Sequence, residues 1–282
     1  GLAMLPIVKD GAQMSSLSKS ELMRVMIRAR RVLARGKVSD DGKTQIPTHL
    51  ISNVMSFYGR TDLLSYLSSF YDLLIELDLV TDVELSSIIK KERQRVTEII
   101  EQNDLSGADN PERLAATLLW ISGYGCTLGS SGNHFLEISS MKGKAFMVVH
   151  SGSRALGGIM YNKIMNLTFL AGTDGIATGV LAHLYSRAYD LLNTFAQINR
   201  LLCALAVAES MGWETDPSIL RATLLENPLF SSVREAFTDE DSVVKATNAL
   251  LVGITHNGVK AFREFNPVTG ETIRILFTCV KG

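Results

Sequence analysis

The chain has 282 residues, of which 46% are hydrophobic and 20% are charged, and its formal net charge is −1. This length and composition are ordinary for a globular protein with a sizeable core. The near-neutral charge excludes a general attraction to nucleic acid, so any RNA or DNA contact must come from a local basic patch. No uninterrupted apolar stretch reaches the length of a membrane span, so no membrane association is expected.

The cysteines give an expectation for the compartment. Cys126, Cys203 and Cys279 are widely spaced and odd in number, and no Cys-x-x-Cys pair exists. This usage disfavours a disulfide framework and a structural zinc cluster. It favours a reducing compartment, and we expect a cytoplasmic protein.

The first predicted elements are a strand over residues 2–8 and a helix that opens at Ser18. Ser18 and Glu21 have the spacing of a capping box, and Gly36 is a plausible stop. The apolar residues with helical period are Leu22, Val25, Met26, Ala29 and Leu33. The opposite face carries Arg24, Arg28, Arg31 and Arg35. This arginine face predicts either a solvated surface or a contact for polyanions.

The middle of the chain predicts helices followed by strands. Helices are expected over 61–79, over 82–102 and from Pro111, where proline suits the first turn. Residues 133–150 predict two strands joined by a turn at 141–144.

The second half predicts helices again and then strands. Gly157-Gly158 is expected to precede a short helix, and a shorter helix begins near Asp216. Residues 181–212 predict a long helix whose apolar side holds Tyr185, Leu191, Leu192, Phe195, Ile198, Leu202 and Leu205. Residues 259–265 and 272–279 predict a hairpin. This order of elements favours an α+β fold over a doubly wound sheet.

Three of the five histidines lie where apolar segments give way to small polar residues. His134 lies in Gly-Asn-His-Phe-Leu-Glu at 132–137, His150 opens His-Ser-Gly-Ser-Arg, and His256 lies in Ile-Thr-His-Asn. Neutral imidazole suits Mn, Fe, Co, Ni and Zn. The pattern predicts that these imidazoles converge on one metal or phosphate site, although a single histidine at a strand end is more often a structural residue.

Polar neighbours strengthen this prediction. Asn133 and Asn257 each flank a histidine and can offer an amide to a nucleotide. Glu137 lies four residues past Asn133, on the same face of a strand, where it can accept from a base or ribose. Small donors and a guanidinium suited to phosphate follow at Ser151, Ser153 and Arg154.

These segments resemble the RtcB family of RNA-splicing ligases. Residues 127–138 are similar to that family's Thr-Leu-Gly-Gly-Gly-Asn-His-Phe-x-Glu signature, with one extra residue before Gly-Asn-His. Residues 150–157 are similar to its His-Ser-Gly-Ser-Arg-Gly-Leu-Gly motif, and His256-Asn257 matches its third motif. The family's tyrosine-to-Asn-Arg helix is matched at Tyr185, Asn199 and Arg200, with Asp190 where an Asn is usual.

The resemblance implies an α+β, RtcB-like fold, in which helices pack around a mixed β-sheet core. Residues 1–282 would form a single catalytic core segment, with 37–110 as an insertion-like helical layer. Members of the family use GTP and Mn²⁺ to join RNA 2′,3′-cyclic phosphate or 3′-phosphate ends to 5′-hydroxyl ends, in tRNA splicing or RNA repair. The enzyme is first guanylylated on a histidine, and GMP then activates the RNA 3′-phosphate through an RNA-3′-pp-5′-G intermediate.

Carried over residue by residue, the resemblance also implies a ligand set. The manganese ligands would be His134, His150 and His256, in a site that holds two ions in the family. The guanylate pocket would be lined by Asn133, His134, Phe135, Leu136, Glu137, His256 and Asn257. The implied partners are GTP, RNA in the form of tRNA halves or broken RNA, and an activating protein.

The chain departs from the family's pattern in ways that bear on activity. The family's Asp-x-Gly-Cys-Gly metal motif is expected upstream of Gly1, and the guanylylated histidine is expected beyond Gly282, so no catalytic nucleophile is assigned within the chain. Cys279 and Val280 stand where the family has His-Arg, and Ala155 stands where glycine is typical. These differences predict either a segment of a longer ligase, incomplete at both ends, or a degenerate relative.

Two other functions stay open at this point. One is a metal-dependent phosphohydrolase that uses the three histidines without a covalent intermediate. The other is a non-catalytic RNA-binding or scaffold relative. A covalent guanylate distinguishes the ligase, hydrolysis without such an adduct favours the phosphohydrolase, and failure to bind Mn²⁺ favours the non-catalytic relative.

Overall fold

The structure is a computed structural model that describes residues 2–34, 37–38, 44–57, 60–128, 134–173, 175–226 and 273–275. Within these residues the protein is mainly helical and contains a small antiparallel sheet, so the predicted α+β class is confirmed. The predicted hairpin near the carboxyl end lies outside the described residues except for 273–275.

The described residues form nine helices and eight strands. The helices are α1 Lys19–Ala34, α2 Thr48–Ser56, α3 Arg60–Glu76, α4 Asp82–Lys91, α5 Arg93–Gln102, α6 Pro111–Ser122, α7 Arg154–Leu170, α8 Val180–Met211 and α9 Pro217–Leu225. The strands are β1 Leu2–Pro6, β2 Val8–Lys9, β3 Ala12–Gln13, β4 Lys37–Val38, β5 Thr44–Gln45, β6 Phe135–Met141, β7 Lys144–His150 and β8 Ile273–Ile275.

The chain divides into two compact units. The first comprises residues 1–45, 125–152 and 196–282, and it holds the four-stranded sheet. The second comprises residues 46–124 and 153–195, and it holds the helices from α2 to α7. A single catalytic segment over 1–282 stays a prediction.

The main sheet has the strand order β1-β7-β6-β8, and each of its neighbouring pairs is antiparallel. Every residue of β1 is buried, as is every residue of β7 after Lys144, so both faces of these strands are covered. The β6–β7 pair is a hairpin closed by Lys142 and Gly143, whose φ angles are 49° and 72°. Two central residues with positive φ match the right-handed twist of a hairpin, which explains the glycine and confirms the predicted turn.

Local chemistry sets the start of α1 as the sequence predicted. The backbone N–H of Ser18 donates to Glu21 Oε2 at 2.8 Å, and the N–H of Glu21 donates to Ser18 Oγ at 3.3 Å. These two bonds form a capping box. Val25, Ala29 and Leu33 are buried as expected, whereas Met26 is 41% exposed, so its assignment to the buried face was wrong.

Two other helix predictions were also wrong. The helix expected over 82–102 is two helices, because the backbone of Glu92 leaves the helical region at φ −108° and ψ 28°. Gly157 and Gly158 lie inside α7 and do not precede it. A Cβ at Gly157 would collide with Oγ of Ser153, so the glycine accommodates a close approach within the first turns of the helix.

The bounds of α8 confirm the helix predicted over 181–212. Not every residue predicted for its apolar side is buried. Phe195, Ile198, Leu202 and Leu205 are buried, whereas Tyr185 is 47% exposed. In length and composition α8 is apolar enough to cross a membrane, but 72% of its most apolar window is buried inside the protein. Burial of that kind is expected of a core helix.

A carboxylate caps α9, which packs against β1. Asp216 Oδ1 accepts from the backbone N–H of Ser218 at 2.7 Å and from that of Ile219 at 3.4 Å. Hydrogen bonds from the Ser218 hydroxyl and from its N–H lower the pKa of Asp216 below its ordinary value. The predicted helix start near Asp216-Pro217 is therefore confirmed.

Replacing Asp216 by Ala should lower the free energy of unfolding by about 1 kcal/mol at neutral pH, because the N-cap acceptor is lost. Asp216→Asn keeps an acceptor and is the matched control, with a smaller loss. Since folding lowers the pKa of Asp216, its contribution is complete above the unfolded-state pKa and is lost as the pH falls through the folded-state pKa. Urea titrations at neutral and at acidic pH measure this, and an equal Ala penalty at both would contradict it.

Candidate metal and nucleotide site

The β6–β7 hairpin brings two of the three predicted histidines together. Phe135, the first residue of β6, is the register partner of His150, the last residue of β7. The rings of His134 and His150 lie with centroids 5.3 Å apart and planes tilted by 46°. The Phe135 ring stacks on His150 with centroids 5.5 Å apart and an interplanar angle of 20°. Two residues 16 apart in sequence thus form an imidazole pair at one end of the sheet.

The two rings of the imidazole pair differ in their exposure to solvent. His150 is only 6% exposed, because β7 lies between β1 and β6 and Leu2 pairs with it from the other side. His134 is half-buried and comes immediately before β6. The His150 ring is therefore part of the core, whereas the His134 ring is partly exposed.

Glu137 is a fully buried carboxylate on the same strand. Strand alternation places it on the same face as Phe135, and its register partners are Val148 on β7 and Arg274 on β8. The Ser139 hydroxyl donates to Glu137 Oε1 at 2.7 Å. Since burial of a carboxylate is costly unless it is hydrogen-bonded, its presence in an apolar sheet is typical of a functional group.

A buried asparagine joins the two segments that flank the imidazole pair. Asn199 on α8 is fully buried, and its Nδ2 donates to Thr127 O at 3.1 Å, to Ser151 Oγ at 3.1 Å and to Gly152 O at 2.9 Å. Its Oδ1 accepts from the Thr127 N–H at 3.1 Å. We call this set of bonds the Asn199 clasp. The clasp ties Thr127, which precedes Gly132-Asn133-His134 in sequence, to the two residues that follow His150.

Two neighbouring bonds reinforce the clasp. Arg200 Nη1 donates to Ser151 O at 2.8 Å, and the Ser151 hydroxyl donates to Thr127 O at 2.9 Å. Cys126, which precedes Thr127, is buried in the left-handed region at φ 57°, a conformation that is uncommon for a residue other than glycine. The clasp holds this backbone in place.

The structure locates some of the predicted pocket residues and leaves others outside its described part. His134, Phe135, Glu137 and His150 lie together at one end of the sheet. Leu136 is buried on the opposite face of β6. The other predicted residues, Asn133, His256 and Asn257, lie outside the described residues. The role of Asn199 did not come from the sequence, although a polar Asn-Arg pair inside an apolar helix was its signal.

The imidazole pair has a spacing that fits a shared cation. With a metal–nitrogen bond of about 2.1 Å, a ring centroid lies about 3.2 Å from the ion, so two ligands about 90–110° apart have centroids about 4.5–5.3 Å apart. The observed 5.3 Å lies at the upper end of that range. Across the described stretches of the chain, no group of three or more His, Cys, Asp or Glu side chains could hold a metal. Within that part of the chain, the imidazole pair could therefore offer a cation no more than two histidine ligands.

Comparisons of the chain with family models, with curated proteins and with solved structures found no match.

Replacing Asn199 by Ala should lower the free energy of unfolding by about 3 kcal/mol, because several buried backbone and hydroxyl groups lose their partner. Asn103→Ala is the matched control: Asn103 is also buried, but its Nδ2 bonds only Ser52 Oγ and Ile99 O. Hydrogen exchange at the Thr127 amide should become faster in the Asn199 variant and stay unchanged in the control. Unchanged exchange at Thr127 in both variants would mean that the clasp does not order this segment.

Proposed function

We propose that this chain is the catalytic core segment of a GTP- and Mn²⁺-dependent RNA ligase with an RtcB-like fold. It would join RNA 2′,3′-cyclic phosphate or 3′-phosphate ends to 5′-hydroxyl ends. The observation that carries the proposal is the pairing of His134 with His150 at one end of the sheet. The motifs around these histidines support it, because both belong to segments that resemble the family's signatures.

In this proposal the residues of the hairpin bind and orient. His134 and His150 would hold manganese through ring nitrogens, and a divalent ion there neutralises charge on the phosphoryl group that is transferred. Phe135 restricts the orientation of the His150 ring by stacking on it. The burial of His150 and Phe135 keeps bulk water from this side of the site, which strengthens electrostatic interactions within it.

Glu137 would supply the hydrogen-bond acceptor that a guanine base requires. Guanine presents N–H donors on its edge, and a carboxylate accepts hydrogen bonds from donors of that kind. A fully buried carboxylate on the face that carries Phe135 therefore suits a base bound beside the imidazole pair. Asn133, His256 and Asn257 would complete the pocket from outside the described residues.

The remaining parts of the proposal concern the setting of the reaction. The RNA would be tRNA halves or broken RNA, and an activating protein would assist turnover. Burial of the apolar helix α8 is consistent with a protein that works away from the membrane. We propose a cytoplasmic location on the basis of cysteine usage.

The first test is Mn²⁺ binding by the chain itself, followed from the electron paramagnetic resonance signal of the free ion. His134→Ala and His150→Ala should each weaken binding by about tenfold or more, because each removes one ligand. His183→Ala is the matched control, since His183 is an exposed histidine on α8 and should have no effect. Equal binding by all three variants would place the cation elsewhere.

The second test is RNA joining by a protein that carries this chain with its natural flanking sequence. With GTP and Mn²⁺ it should join a 2′,3′-cyclic phosphate RNA to a 5′-hydroxyl RNA through a covalent guanylate. Glu137→Gln should raise the GTP concentration required by about tenfold, because a charge-assisted hydrogen bond becomes a neutral one. His183→Ala again serves as the control.

The outcomes of the joining assay separate the three functions. Phosphodiester hydrolysis with no guanylate adduct would replace the ligase by a metal-dependent phosphohydrolase. Absence of Mn²⁺ binding, guanylylation and hydrolysis together would leave a non-catalytic relative.

A further inference from the structure

The exposed face of α1 is rich in cations. Val25, Ala29 and Leu33 are buried and hold the helix against the protein. The outward residues include five basic side chains, which we call the basic face of α1: Lys19, Arg24, Arg28, Arg30 and Arg31. Arg35, which the sequence placed on the same face, lies outside the described residues.

This face has almost no negative charge to balance it. The single acidic residue of α1 is Glu21. Its carboxylate accepts from the backbone N–H and the hydroxyl of Ser18, both at 2.8 Å, and these bonds lower the pKa of Glu21. Glu21 is therefore engaged in the cap at the first turn, where the positive charges of Lys9 and Arg24 also lower its pKa, whereas Arg28 and Arg31 lie farther along the helix.

The arginines of α1 also differ from other cations of the protein in their partners. Arg95, Arg113, Lys163 and Arg187 each form an ion pair with a carboxylate. Among the residues that the structure describes, the four arginines of α1 form none. Apart from the Coulombic attraction between Arg24 and Glu21, no described carboxylate thus pairs with these exposed arginines, and their charge faces solvent.

Apolar side chains lie between these cations. Met23, Met26 and Ile27 are 50%, 41% and 50% exposed, and their spacing places them beside Arg24, Arg30 and Arg31 on the outer surface. A face that combines guanidinium groups with half-exposed apolar groups suits a partner that carries both phosphates and flat bases. Arginine can pair with phosphate through its fork and can stack on a base through its plane.

We propose that the basic face of α1 binds the phosphate backbone of the RNA that the ligase joins. This inference rests on the proposed function, and it adds the surface that holds the RNA away from the reacting ends. Since the whole chain has a net charge of −1, attraction to a polyanion requires a local concentration of unpaired cations. The basic face of α1 provides one, and its binding is independent of RNA sequence.

The test uses fluorescence anisotropy of a short labelled single-stranded RNA, titrated with the chain at several salt concentrations. The triple variant Arg24→Gln, Arg28→Gln and Arg31→Gln removes three contacts. It should lower the slope of log affinity against log salt by about 2, at roughly 0.7 per single-strand phosphate, and weaken binding by about tenfold or more at low salt.

Two companion variants make the result specific. Lys90→Gln, Lys91→Gln and Arg93→Gln remove the same charge from exposed residues of α4 and α5, two helices that also carry acidic residues such as Glu84 and Glu98. They should leave the slope unchanged. The triple Arg-to-Lys variant at 24, 28 and 31 keeps the charge, so it should keep the slope while it loses part of the affinity.

The outcomes distinguish this proposal from the ligase proposal. An unchanged salt slope in the Gln variant at 24, 28 and 31 would overturn the RNA face even if the protein is guanylylated. A reduced slope in a protein that never forms a guanylate would support the RNA face and overturn the ligase. If Met23→Ser and Ile27→Ser abolish binding of an acidic peptide while the arginine variant binds RNA normally, the face serves a protein partner and the proposal fails.

Discussion

The Asn199 side chain joins two segments that are 24 residues apart in sequence, Thr127 on one side and Ser151-Gly152 on the other. Its four bonds are made in a fully buried position, where a missing partner costs far more than a bond contributes. In sequence, Thr127 precedes Gly132-Asn133-His134, and Ser151 follows His150 directly. Asn199 on α8 therefore fixes the residues that follow His150, whereas the β6–β7 register sets the pairing of the two imidazole rings.

Strands β6 and β7 of the sheet carry the side chains of the proposed site. An antiparallel hairpin places residues from both strands opposite each other, so Phe135 stacks on His150 and His134 approaches the same ring. Alternation then puts the Glu137 carboxylate on the Phe135 face. Two imidazole rings, a phenyl ring and a buried carboxylate thus lie close together at one end of β6. The proposed guanylate and manganese site uses the three together.

Charge is distributed unevenly over the described part of the protein. In the second unit several cations form ion pairs with carboxylates, as Arg113 does with Asp82 and Arg187 with Glu76. The arginines of α1 lack such pairs within that part of the chain. A near-neutral protein can therefore attract a polyanion at one surface without a general affinity for polyanions.

Local chemistry explains which predictions from the sequence were correct. Helix caps and tight turns are set by interactions among a few neighbouring residues. The sequence therefore predicted the helix start at Ser18, the turn at Lys142-Gly143 and the helix cap at Asp216 correctly. Packing explains the failures. Whether Tyr185 and Met26 are buried depends on neighbours far away in sequence. The close approach of the Ser153 side chain to Gly157 in the first turn of α7 depends in the same way on the conformation at the start of that helix.

The sequence by itself determined the α+β class, most helix and strand positions and the candidate histidines, because periodicity, caps and turn residues are local properties. Only the tertiary structure decided that His134 meets His150, that Glu137 is fully buried and that Asn199 ties both flanking segments together. The reason is physical: ring contacts and buried hydrogen bonds depend on strand register and on the position of α8, and neither is encoded within any short stretch of residues.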